Sequence, residues 1–192
     1  IYIPKHMNVF SEYNQNTKLS FKINNNIHTI NISPGTYTED ELANEIQNKM
    51  NVRMAMDNNG FSFGSFVCLY HPIQKKFLFG NLTNSFKLLF DKTETYDYNN
   101  NQKPMHSETK FWGLPSYLGY KKQVYSSTSI GQNTEQQFLF THVNKVKWLG
   151  DNAHYINPNI NVGTANIKGE NVAYLEIDKY NTINELTPFA LN

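Results

Sequence analysis

INISPGTYTEDELANEIQNKM, residues Ile30 to Met50, holds a strand, a turn and a helix in one run. Ile30 and Ile32 alternate with polar neighbours, the pattern of a half-buried strand. Pro34-Gly35 ends it, because proline fixes φ and glycine is free to take positive φ. Thr38 followed by Glu41 is a capping box, in which each side chain satisfies an orphan amide at the helix start. Glu39, Asp40 and Glu41 add negative charge at the positive end of the helix dipole. Leu42, Ala43, Ile46 and Met50 then recur on one helical face, which predicts a helix over Thr38 to about Met50 packed on a sheet. On that face assignment, Leu42 and Ile46 are buried while Glu45 and Lys49 meet solvent.

Outward from this unit the pattern is that of strands. Leu19, Phe21 and Ile23 alternate within Lys18 to Ile23, and Asn24-Asn25-Asn26 turns the chain into Ile27 to Ile32 as a hairpin with a three-residue loop. After the helix, Val52 to Met56 reads as extended, and Asp57-Asn58-Asn59-Gly60 as a turn. Phe61 to Tyr70 is a strand stopped by His71-Pro72. Lys76 to Phe79 and Phe86 to Phe90 are shorter strands joined by Gly80 to Asn84. Gln136 to His142, Asn144 to Trp148 and Asn171 to Ile177 complete the set. Asp91 to Lys110 and Gly150 to Gly169 are aperiodic and read as long loops, uncommon inside a compact domain. Short strands with one helix predict a mainly β chain, a jelly-roll or β-sandwich with an α-helix inserted at about 38–50.

The chain has 192 residues, read as a single β-rich domain over 1–192. A domain of that size buries roughly 70% of the surface its unfolded chain exposes, so a self-sufficient core is expected. It starts with Ile1 rather than Met, which carries the expectation of a piece of a longer chain. Charged residues make up 17% and aromatics 14%, a balance that argues against disorder despite a mean hydropathy of −0.57. Asn is the commonest residue, and the abundance of Asn, Ile, Lys, Tyr and Phe matches A/T-rich coding. Net charge is +1, and the longest basic runs are Lys75-Lys76 and Lys121-Lys122, too short for a nucleic-acid footprint. No apolar run reaches the ~20 residues of a membrane span, so no transmembrane segment is expected. Asn31-Ile32-Ser33 and Asn81-Leu82-Thr83 match the glycosylation acceptor pattern, one that an Asn-rich chain produces by chance.

Candidate chemistry is sparse. Cys68 and His71 lie three apart on a strand and so point to opposite faces, which makes Cys68 a buried, inert thiol rather than half of a nucleophile pair. A zinc site would need three of His6, His28, His71, His106, His142 and His154 to meet in space, and no HExxH or HxH pair brings any two together. Glu39, Asp40 and Glu41 are explained by capping without an acid–base role. No GxGxxG or GxxxxGK[ST] frame is present. Phe111, Trp112, Tyr117 and Tyr120 suit a core plug or subunit contact better than a stacking platform for sugars or bases. No catalytic, cofactor-binding or metal-ligating residue is assigned, and no cofactor is expected.

Several segments in this order resemble a family of virion proteins of large nucleocytoplasmic DNA viruses. They are INISPGTYTEDELANEIQNKM, the pair FVCLYHPIQKKFLFG, the strand SFKLLF, LGYKKQVYSS ending at Ser127, and the closing YLEIDKYNTINELTPFAL. In that family a G-x-Y-T-x-x-E-L unit, here Gly35 to Leu42, precedes paired aromatic strands, and an L-G-F step follows, here Leu118-Gly119-Tyr120. The family's opening D-S-R-D-R-N type segment is missing. The resemblance implies a non-enzymatic capsid protein of minor capsid or vertex (penton) type, with a jelly-roll-like fold. It would be assembled into virions in the host cytoplasm, with other capsid proteins as partners and a homo-oligomer, pentameric at a vertex, as its form; no nucleic acid is a partner. In such a shell the loops Asp91 to Lys110 and Gly150 to Gly169 are expected to order against neighbouring subunits. The alternative function is a host-attachment or carbohydrate-binding β-module using exposed aromatics beside Asn side chains. A hydrolase assembled from scattered His and Asp is a third class that no motif favours.

Overall fold

The computed structural model describes residues 9–12, 14–56, 65–92, 113–131, 152–159, 162–168, 172–173 and 189–190. The chain is mainly β: two antiparallel four-stranded sheets and one long helix, consistent with a β-sandwich. Sheet one contains β1 (Lys18–Ile23), β2 (Asn26–Asn31), β5 (Phe86–Leu89) and β6 (Val124–Ser126), in the order β2-β1-β5-β6. Sheet two contains β3 (Phe66–His71), β4 (Lys76–Asn81), β7 (Thr128–Ser129) and β8 (His154–Tyr155), in the order β3-β4-β8-β7. A two-residue pair, β9 (Val172–Ala173) with β10 (Phe189–Ala190), is separate. Successive pairs of strands thus alternate between the two sheets.

The β1–β2 connection is tighter than expected. Asn24 (φ 46°) and Asn25 (φ 67°) both take left-handed backbone, and Asn26 already pairs with Ile23. A two-residue loop with positive φ at both positions matches the right-handed twist of the strands, and Asn tolerates it better than other non-glycine residues. In the β3–β4 hairpin, Lys75 takes positive φ (51°), and His71 Nδ1 accepts the Gln74 N–H at 3.2 Å.

Helix α1 covers Glu39–Met56, so the extended reading of Val52 to Met56 is corrected. Met54 continues the buried stripe of Leu42, Ile46 and Met50, and Arg53 in the last turn suits the negative dipole end. The stripe outweighed the short alternation of Val52, Met54 and Met56. At the other end the capping box forms as read. Glu41 N–H donates to Thr38 Oγ1 at 3.3 Å, Thr38 N–H donates to Glu41 Oε2 at 2.8 Å, and Leu42 N–H donates to the Thr38 carbonyl at 2.9 Å. Gly35 does not use positive φ. It forms a bridge with Phe10 through two backbone hydrogen bonds, and Phe10 packs on the rings of Tyr37 and Tyr117.

The sheets meet through aromatic rings. Phe66 of β3 sits 5.2 Å from Phe21 of β1 and 5.3 Å from Phe86 of β5, both edge-to-face. Tyr120, 3% exposed, centres a second cluster with Phe79, Phe90 and Tyr125, and its hydroxyl donates to the Phe77 carbonyl at 2.9 Å. One side of the sandwich is closed by α1, which packs along the β2 and β3 edges. Asn51 pairs with both the N–H and the C=O of Phe66 at 2.9 Å, and Gln47 accepts the Cys68 N–H at 3.0 Å. Side chains of the helix thus pair backbone groups of Phe66 and Cys68 on an edge that would otherwise offer free ladder groups. The other side is closed by the chain itself, which leaves sheet one at Ser126 and enters sheet two at Thr128.

Within 150–169, expected as a loop, β8 pairs with β4 and β7. Ala153, Tyr155, Ile156, Val162 and Ile167 are buried, so these residues find burial on their own chain. A short helix α2 (Leu114–Tyr117) leads into Gly119, whose φ is +87°. A Cβ there would lie 2.6 Å from the Gly163 carbonyl oxygen, and Gly163 N–H donates to the Gly119 carbonyl at 2.7 Å. The Leu118-Gly119-Tyr120 step therefore needs glycine for its backbone and for a close chain crossing. The strands expected at Gln136 to His142 and Asn144 to Trp148, the turn at Asp57 to Gly60, the loop from 93 to 110 and most of Asn171 to Ile177 lie outside the described residues.

Candidate functional site

The residues singled out for chemistry are dispersed. Cys68 faces the core between the sheets, and burial pushes its thiol well above its ordinary pKa. His71 serves its hairpin turn, His28 stacks at 5.2 Å on Phe21, and His154 lies in β8. His6, His106 and His142 lie outside the described residues, as do Phe111 and Trp112. Among the described residues no three His, Cys, Asp or Glu side chains come together as a metal set, and no helix is long and apolar enough to cross a membrane. The acidic first turn caps α1 and sits beside Tyr70, whose phenol is pushed up first by burial and then by Glu39 and Asp40. Tyr117 packs against the core and Tyr120 lies inside it, the plug rather than the platform. Asn81 is buried, with Oδ1 accepting the N–H groups of Thr83 and Asn84, which ties that acceptor motif into a turn.

Glu45 departs from the sequence reading. It is only 22% exposed, accepts the Ser33 N–H at 3.0 Å and lies 3.6 Å from Lys49 Nζ. Burial raises its pKa, but the Ser33 and Lys49 contacts outweigh that and hold it below the ordinary carboxylate range. It thereby fastens the strand-to-helix link. Spacing along the helix could not show this, because Ser33 reaches Glu45 only through the fold of Pro34 to Thr38.

Part of the outer face of sheet one is exposed among the described residues, although Ser20 and Leu89 on the same face are buried. Across it, register sets Ile27, Lys22, Lys87 and Ser126 in one row over all four strands. Ile27 is 55% exposed and Val124, one row along, 42%. At the end of this face a cleft of about 400 Å³ opens between the β1–β2 turn, the start of β5 and the end of β6. Lys22, Lys87, Asn24, Asn25, Ser85 and Ser126 line it, with no carboxylate among the described residues at its wall. Ser127, also at its wall, accepts the Phe86 N–H at 2.8 Å and donates its own N–H to the Phe86 carbonyl at 2.9 Å, which locks β5 and β6 together there. The lining residues of the cleft include two lysines, two asparagines and three serines, all side chains able to donate hydrogen bonds. The Lys22–Lys87 opposition required knowing that β5 pairs with β1, a contact more than sixty residues apart in sequence.

Neither protein-family models, curated proteins nor solved structures match this chain.

Proposed function

We propose that this chain is a non-enzymatic structural component of an icosahedral virus particle, a minor capsid or vertex protein that works through subunit contacts. The observation that carries the reading is where the resembling segments fall in the fold. Gly35 to Leu42 builds the entry to the helix that closes one side of the sandwich. The β3–β4 pair, with SFKLLF at β5, supplies the aromatic inter-sheet contacts. Leu118-Gly119-Tyr120 makes the chain crossing that only glycine permits. Each of these three has a framework role, as expected where scaffold is shared and surfaces do the work, while the closing YLEIDKYNTINELTPFAL lies outside the described residues except at 189–190.

The jelly-roll assignment is the finer part of the same proposal. Its support is the return of β5 to lie beside β1 after two strands in the opposite sheet, the long-connection step of Greek-key folds. The burial of Val162 and Ile167 on their own chain removes one reason offered for assembly, since those residues do not need a neighbour to cover them. Mass spectrometry of purified particles, calibrated against the major shell protein, tests the function. A fixed copy number per particle is expected. Absence from particles, with the chain abundant in infected cells, would overturn the proposal.

A further inference from the structure

Lys22 and Lys87 face each other directly across β1 and β5, the two central strands of sheet one. Like charges directly opposite on neighbouring strands are destabilising, and the remaining members of their row, Ile27 and Ser126, carry no negative charge to compensate. Lysines often guard sheet edges against unwanted pairing, but these are not edge strands, so that role does not account for them. Both lysines line the cleft, together with Asn24 and Asn25 of the left-handed turn and with Ser85 and Ser126. Two ammonium groups and several neutral donors, with no carboxylate among the described residues at the wall, are complementary to a multiply charged oxyanion, which accepts charge-assisted hydrogen bonds on every oxygen.

We propose that this cleft is a binding site for a phosphate or sulfate ester, with the oxyanion seated between Lys22 and Lys87. The bound anion converts the lysine pair from a repulsive contact into a bridged one. A volume of about 400 Å³ exceeds what one ion fills and falls within the range of small-molecule sites, so the group that carries the ester also has room. Among the described residues the only aromatic ring at the wall, Phe86, is buried, so neutral sugar stacking is not offered by them. The site stands independently of the shell reading.

The test uses the full chain, with inorganic phosphate, inorganic sulfate and a sulfated oligosaccharide as probes, and sodium chloride at matched ionic strength as the control. Amide chemical shifts of Asn24, Asn25, Ser85 and Ser126 should move saturably with the probes and not with chloride. In Lys22→Gln/Lys87→Gln, binding should weaken by about tenfold or more, because hydrogen bonds from charged donors are removed. The same variant should remain folded, with melting at least as high as that of the parent protein. Tighter binding of the oligosaccharide than of either ion, lost in the variant, assigns the site to an ester on a larger ligand. Equal binding, also lost in the variant, assigns it to the free ion. Unsaturable shifts, shifts shared with chloride, or equal affinity in the variant would overturn the proposal.

Discussion

The two sheets solve the same burial problem differently. In sheet one, Leu19, Phe21 and Ile23 face the core while Lys18, Ser20 and Lys22 point the other way. In sheet two, Phe66 and Cys68 face the inter-sheet core, and Val67 and Leu69 are buried on the opposite side with Leu78, Ile130, Ala153 and Tyr155. The sequences differ accordingly: KLSFKI alternates, whereas FVCLY is a continuous apolar run. Alternation marks a sheet with one polar, partly exposed face, and a continuous run marks one covered on both. Sheet two is therefore the structural spine, and sheet one is where the molecule has a strand surface to offer.

The largest expected effect follows from this contrast. Leu78, fully buried on the second face of sheet two, should cost about 2–5 kcal/mol when replaced by Ala, as a core residue does. Lys87 on the outer face of sheet one should change stability by about 0.5 kcal/mol or less when replaced by Ala. Urea denaturation of both variants checks the pair. Comparable losses would mean that the outer face of sheet one is as structural as that of sheet two.

The helix seal on sheet two comes next. Asn51→Ala strands both the N–H and the C=O of Phe66 at a buried edge, for an expected cost of about 1–3 kcal/mol. Hydrogen exchange at the Phe66 amide should accelerate in the variant. Unchanged protection would show that the edge is sealed by something other than Asn51.

The capping box is a smaller term and depends on pH. Thr38→Ala should cost about 1 kcal/mol at neutral pH. Glu41 is held below the ordinary carboxylate range, first by the Thr38 N–H and then by the Thr38 hydroxyl. A carboxylate with a depressed folded pKa contributes stability above its unfolded value and loses it as pH falls through the folded one. Thr38→Ala keeps the N–H and removes only the hydroxyl, so its cost should shrink slightly in acid, as measured by denaturation at neutral and acidic pH. Glu45 is depressed in the same direction by Ser33 and Lys49, so Glu45→Ala should cost about 0.5–1.5 kcal/mol instead of being neutral.

Local features were legible in the sequence wherever their cause is local. The capping box, the buried face of Leu42, Ile46 and Met50, and the β1–β2 hairpin all depend on residues a few positions apart, and all are present. The helix end was misread because a five-residue alternation is a weaker signal than a stripe repeated over four turns. Non-local features were opaque: the pairing of β5 with β1, the strand at His154–Tyr155 and the Ser33–Glu45 contact arise only when distant segments meet. The same holds for the cleft, since neither Lys22 nor Lys87 is unusual until register sets them opposite each other.

That opposition yields the smallest effect and the sharpest distinction between the sheets. If the Lys22–Lys87 pair is a cost that sheet one carries, Lys22→Gln should stabilise the protein by about 0.2–1 kcal/mol at low ionic strength, the range of a cross-strand pair. The gain is electrostatic and solvent-exposed, so salt should erase it as the screening length falls toward the separation of the two charges. A polyvalent oxyanion at equal ionic strength should erase it more completely, because an anion seated between the lysines stabilises the parent protein and not the variant. Melting temperatures of both proteins in a chloride series and a sulfate series separate these effects. Coincident chloride and sulfate curves would reduce the pair to ordinary surface charge, and a destabilised variant at low salt would mean that the Lys22 stem contributes packing on the sheet.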